Sequence, residues 1–267
     1  ARDRPPQLHR VPTGSGKRKA VIMAWLWKRR YQPDLAARAS TPRRLVFVLP
    51  MRALVEQTFR VASDIRQRLS LYSNDLAIHP LLGGEADDGW LSYPERDTIL
   101  VGTQDMLLSR ALNRGYAQSR FAWPRAFGLL HNDAFWVLDE IQLMGSGLAT
   151  TTQLAGFRQR FGTAGPVWCT WMSATAEATW LRTVDHAAPG RSDLLELSPD
   201  DRATAPGPEG AERPLAERLS ASKTIRYSGG ALASAKGGDV TTYVHALAGI
   251  IRQHHLRGSL TLVVANT

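Results

Sequence analysis

Short runs of β-branched and other apolar residues recur at positions 8–11, 45–49, 77–81, 98–101, 135–138, 167–172 and 261–264, each about the length of a buried strand. Between them, residues 19–29, 53–69, 104–113 and 151–161 carry apolar side chains three and four positions apart, the spacing of one helix face. Wholly apolar strands alternating with helices imply a parallel sheet covered on both faces, because parallel neighbours need crossover connections. The pattern predicts a doubly wound α/β domain. It lapses over 188–214, where Pro189-Gly190 and Pro206-Gly207-Pro208 stand among acidic residues, so the first domain is expected to span 1–190 and a linker or insertion 191–238. A short helix near 215–223, a longer one near 240–255 and a single strand follow, with 239–267 too little sheet for a second domain.

Composition narrows the classes. Of the 267 residues 43% are hydrophobic, too many for a disordered chain. The 33 Lys and Arg exceed the 24 Asp and Glu for a formal +9, and the excess is local: residues 1–50 hold 12 basic and 2 acidic side chains, while the remainder sums to −1. Such a stretch fits either a polyanion site or an Arg-rich surface. Within it, Lys28, Arg29 and Arg30 are placed at a helix end, where cations suit the dipole and need no partner. The single cysteine, Cys169, sits in an apolar flank as a core thiol, excludes a disulfide framework and suits a cytoplasmic protein. No apolar run approaches a membrane span. The first residues lack both an initiator Met and a signal-peptide core, and the last stop at the end of a strand-like run, so the sequence reads as a fragment.

The chemistry begins at Pro12-Thr13-Gly14-Ser15-Gly16-Lys17, a glycine-rich loop between a short strand and an apolar helix. Glycines let backbone N–H groups converge on a polyphosphate, the helix N-terminus adds partial positive charge, and Lys17 can reach the β and γ phosphates. Two residues depart from the general phosphate loop: Val11 stands for a glycine, and Arg18 for the Ser or Thr whose hydroxyl meets Mg2+. Arginine has no acceptor oxygen, so either Mg2+ is held by water and the downstream acid alone, or hydrolysis is weakened.

At 135–140 an apolar strand ends in Asp139-Glu140. A parallel strand beside the phosphate-loop strand would bring both carboxylates to the phosphates, Asp139 holding Mg2+ and Glu140 orienting and deprotonating water. Ser173-Ala174-Thr175 follows 34 residues after Asp139, where small hydroxyls can hydrogen-bond carboxylates or cap the following helix. Trp123, Trp136, Trp168 and Trp171 have strand or loop contexts that favour core packing over base stacking.

In this order, residues 12–17, Asp139-Glu140-Ile141-Gln142 and Ser173-Ala174-Thr175 resemble motifs I, II and III of the DExD/H-type superfamily 2 helicases. The stretches 49–57, Gly83-Gly84 and 101–105 resemble motifs Ia, Ib and Ic of the helicase–nuclease of type I CRISPR systems. Residues 139–153 are similar to the helicase–nuclease of type I CRISPR systems, most of all the subtype formerly called I-U. The resemblance implies a RecA-like P-loop NTPase whose second RecA-like domain is truncated, with ATP and Mg2+ as cofactors. It also implies single-stranded DNA as partner, recruitment by a CRISPR surveillance complex, and a monomer. Lys17, Asp139, Glu140 and Gln142 would be catalytic, Gln142 with residues 173–175 would couple nucleotide state to the second domain, and Arg52, Gly84 and Thr103 would hold the DNA backbone. Two other readings stand beside it: a different superfamily 2 translocase such as a restriction-system motor, and a hydrolysis-deficient binding module created by Arg18. Motifs V and VI are expected beyond Thr267, so the chain is expected to bind nucleotide weakly and not to unwind DNA alone. Asp185-His186 and His254-His255 read as surface rather than metal sites.

Overall fold

The computed structural model describes residues 4–83, 85–116, 118–199, 240–258 and 261–262. Among the described residues eight strands form one sheet: β1 (Leu8–Arg10), β2 (Arg44–Leu49), β3 (Ala77–Leu82), β4 (Glu85–Ala86), β5 (Thr98–Thr103), β6 (Ala134–Asp139), β7 (Val167–Ser173) and β8 (Leu194–Glu196). Their spatial order is β4-β3-β5-β2-β6-β7-β1-β8, and all neighbours are parallel except the β3–β4 pair. The central strands β2 and β6 are buried at every position, as a sheet covered on both faces requires.

Alternate residues of each strand feed two cores. Leu45, Phe47, Leu49, Phe135, Val137 and Met172 face α1 (Lys17–Leu26) and α3 (Arg52–Arg68), which contribute Ile22, Trp25, Val55 and Ile65. Val46, Val48, Trp136, Leu138 and Trp171 face α4 (Gln104–Ala111), α5 (Trp123–His131) and α6 (Ser146–Phe161) through Leu107, Leu130 and Leu154. A short helix, α2 (Leu35–Ala39), is capped by Asp34, whose carboxylate accepts from the Ala36 N–H at 2.9 Å. This is the RecA-like α/β architecture expected from the sequence.

Several local expectations are corrected. The sheet runs past residue 190, since β8 pairs with β1 from Leu8↔Leu194 to Arg10↔Glu196. Helix α6 begins at Ser146 rather than at residue 151. Helix α1 does not end near Arg29 but continues into a π-helical turn, Trp27–Tyr31, whose cations do have partners. Arg29 Nε and Arg30 Nη1 each lie 2.8 Å from a carboxylate oxygen of Asp97, and Lys28 stands 5.7 Å from the Trp168 ring. His186 is not at the surface. It is buried against Trp171, one ring nitrogen 2.9 Å from the Leu181 carbonyl, and α6 passes so close that a Cβ on Gly156 would lie 2.1 Å from the Asp185 carbonyl oxygen. Cys169 is half-buried, and burial pushes its thiol up to about 12.

By its contacts the chain divides into two units, 1–219 and 220–267. In the second, α7 (Val240–His254) is described, with His254 and His255 exposed at its end. The helix expected near 215–223 and the linker beyond residue 199 lie outside the described residues. Thr261 and Leu262 are not in a strand, and 263–264 lie outside the described residues. None of the described helices is long and apolar enough to cross a membrane.

Candidate functional site

The carboxyl ends of the parallel strands form one edge, and the sequence motifs lie along it in spatial order. Gly83 follows β3, Thr103 ends β5, Arg52 follows β2, Asp139-Glu140 ends β6, Ser173 ends β7, and the 12–17 loop follows β1. Open parallel sheets place ligands at this edge because the loops and helix N-termini converge there. Gly84 lies outside the described residues. Gly83 is exposed in a turn, Arg52 is exposed and paired with Glu56 at 3.1 Å, and Thr103 is half-buried at the start of α4.

The loop is built by its glycines. Gly14 and Gly16 have φ of 83° and 79°, a region open to glycine and strained for other residues, and Gly16 turns the chain into α1. Ser15 Oγ donates to the Pro12 carbonyl at 2.7 Å, closing the turn, while the Val11 N–H donates to the Ser173 carbonyl at 3.1 Å. That last bond ties the loop directly to the third motif.

Contrary to the expectation from sequence, the acidic strand is not the neighbour of the loop strand: β7 lies between β6 and β1. Long side chains span the gap. Lys17 Nζ lies 3.0 Å from Asp139 Oδ1 and 2.9 Å from Glu140 Oε1, with Asp139 fully buried and Lys17 nearly so. Arg18 Nε lies 2.6 Å from Asp139 Oδ2, and its Nη1 donates to Gln57 Oε1 of α3 at 2.8 Å. Sequence alone does not single out Gln57 as a site residue. Its place within 49–57 is the available signal, and only the fold shows that Arg18 reaches it.

Glu140 adopts φ 53°, ψ 46°, a left-handed conformation that is unusual for a residue with a Cβ. Its own N–H donates to Asp139 Oδ1 at 2.9 Å, and Gln142 Nε2 donates to its Oε2 at 2.7 Å. Burial raises the Glu140 carboxyl pKa. Hydrogen bonds from Gln142 and Lys17, with the Lys17 and Arg18 charges, outweigh that and hold it below the usual glutamate range. From Gln142 the network continues: Ser173 Oγ, fully buried, donates to Gln142 Oε1 at 2.7 Å and accepts from the Thr175 N–H at 3.1 Å. Ala174 is half-buried and Thr175 exposed. Lys17, Glu140, Gln142, Ser173 and Thr175 thus form one unbroken polar chain across three motifs.

Magnesium on Asp139 and Glu140 does not fit these side chains as they stand. All four carboxylate oxygens already accept from Lys17, Arg18, Gln142 or the Glu140 N–H. The position that would bring a hydroxyl carries Arg18, whose guanidinium lies against Asp139. Among the described residues no group of three or more His, Cys, Asp or Glu side chains could hold a metal.

No curated protein sequence matches the chain. Similar solved structures include the Mycobacterium smegmatis helicase Lhr bound to single-stranded DNA and AMP-PNP, at 16% identity and TM-score 0.47, covering 73% of this chain and 24% of that one. The DUF1998 helicase MrfA bound to DNA and AMPPNP is similar at 18% identity and TM-score 0.48, covering 72% and 24%. The yeast DEAD-box splicing factor Prp28 is similar at 22% identity and TM-score 0.44, covering 65% and 37%. The chain therefore spans well under half the length of these proteins. The DEAD/DEAH box helicase family matches residues 7–184, about two thirds of the chain and every motif-bearing strand end, so the protein belongs to the DEAD/DEAH box helicase family.

Proposed function

We propose that this domain is the nucleotide-responsive half of a motor that moves on single-stranded DNA, binding ATP at residues 12–18 and the DNA backbone near Arg52, Thr103 and Gly84. The observation that carries the reading is the polar chain from Lys17 to Thr175. A phosphate that takes Lys17 from Glu140 removes one of the bonds holding Glu140 in its left-handed conformation, and that loss is felt at Gln142 and Ser173. Nucleotide state is thereby turned into a change at strand ends, and Arg18 on Gln57 extends the link to α3, whose first residue is Arg52. Backbone contacts at loop and helix starts bind phosphate without reading sequence, as a translocating motor needs.

In the parent protein this reading makes the domain part of an ATP-driven helicase. The likeness of residues 139–153 supports a setting in CRISPR-based antiviral defence, which stimulation of ATP turnover by a surveillance complex on its target DNA would test. The chain itself is tested by fluorescence anisotropy of a labelled single strand, with and without a non-hydrolysable ATP analogue. Nucleotide is expected to change the affinity in the wild type and not in Ser173→Ala; equal affinity in both states of the wild type would sink the reading.

A second reading, a module that binds nucleotide without turning it over, is favoured by the Arg18–Asp139 pair. It is tested in the parent protein, where Arg18→Thr is expected to raise single-strand-dependent ATP turnover. Unchanged turnover at saturating Mg2+ would contradict this account of Arg18.

A further inference from the structure

We propose that Arg18 is the resident cation of this site, so that the domain binds a nucleoside triphosphate without a divalent metal. The inference rests on reading residues 12–18 as a nucleotide site. It starts from where the guanidinium lies. Arg18 is the second residue of α1, immediately after the loop, and its side chain is only 16% exposed. Nε lies 2.6 Å from Asp139 Oδ2, Nη1 holds Gln57, and Nη2 stands 3.8 Å from Glu140 Oε1, outside hydrogen-bond reach.

Charge balance points the same way. Two cations, Lys17 and Arg18, face two carboxylates, Asp139 and Glu140, and the four groups sum to zero. Without Arg18 the cluster would carry net negative charge, which would attract a divalent ion and repel a polyphosphate. With it, no such excess remains. A metal placed at Asp139 Oδ2 would have to displace a charge-assisted bond or sit beside a fixed positive group.

A guanidinium also does geometrically what the ion does. It is planar, permanently charged, and presents five donors in a fork that matches phosphate oxygens. Anchored to Asp139 through Nε, Arg18 can turn its Nη2 edge to the phosphates and bridge acid to nucleotide through hydrogen bonds. Because the cation is covalently attached, its presence does not depend on free metal.

The test is titration of the chain with N-methylanthraniloyl-ATP, once in excess EDTA and once in excess Mg2+. The wild type is expected to give dissociation constants within about threefold of each other, and Arg18→Thr to bind about tenfold more tightly with Mg2+ than without. Arg18→Lys, which keeps the charge but loses the fork, is expected to fall between them, and circular dichroism shows whether each variant is folded. The wild-type comparison needs no variant: weakening of about tenfold or more in EDTA overturns the inference while leaving the nucleotide site intact. Absence of saturable binding in both buffers overturns the nucleotide reading itself, and the inference with it.

Discussion

The two ends of the same sheet both bury charge, and they do it with different partners. At the amino ends of the strands, Arg44 is nearly fully buried and donates to three backbone carbonyls, those of Leu129, Pro94 and Asn132, at 3.1, 2.8 and 3.0 Å. Arg29 and Arg30 share Asp97 and also donate to the carbonyls of Thr41 and Asp75. Apart from the Asp97 carboxylate, these acceptors are backbone carbonyls fixed by the fold. At the carboxyl ends, Lys17 and Arg18 meet carboxylates and an amide side chain, groups that can turn away when a phosphate offers better acceptors. One end uses charge to close the structure, while the other, in the function proposed above, holds it for a ligand.

The sharpest way to break this contrast is Arg44→Ala. It strands three carbonyls, while Asp133 keeps Arg43, and is expected to lower the unfolding free energy by about 3 kcal/mol in urea, with nucleotide affinity of the folded protein unchanged. Ser173→Ala, at the opposite end, should cost about 1 kcal/mol of stability but abolish the effect of nucleotide on single-strand binding, as read by anisotropy. A large stability loss with coupling intact would make Ser173 a fold residue like Arg44.

Arg52→Ala is expected to weaken single-strand binding equally for all sequences and to reduce the slope of log affinity against log salt by about one, with stability unchanged. The smallest expected effect is that of pH. Because the Glu140 carboxyl is held below its ordinary 4.5, its contribution to stability is present above that value and lost as pH falls through the lower folded value. Thermal melts from neutral pH downward should show Glu140→Gln losing less than the wild type below about pH 4.5; parallel losses would contradict the assignment.

The sequence made strands such as β2, β5, β6 and β7 legible because each is a run of apolar residues long enough to stand out. β8 has three residues and β4 two, too few for any periodicity, and α5 carries Pro124 and Gly128, which disguise a nine-residue helix. The site motifs are local in sequence and were readable as spacing. What could not be read was which side chains meet across the fold. Arg18 finds Asp139 at a sequence separation of 121, and Arg29 finds Asp97 at 68, each determined by strand order rather than by neighbours. The partnerless cations expected at 28–30 and the adjacent β1 and β6 strands failed for that same reason.

The most direct test of the central claim, that the carboxyl-end cluster is a nucleotide site, is equilibrium binding of labelled ATP to the wild type and to Lys17→Ala. Saturable one-to-one binding that weakens by about a hundredfold in the variant is predicted, from the loss of a charged hydrogen-bond donor to phosphate. Equal binding by the two proteins would contradict it.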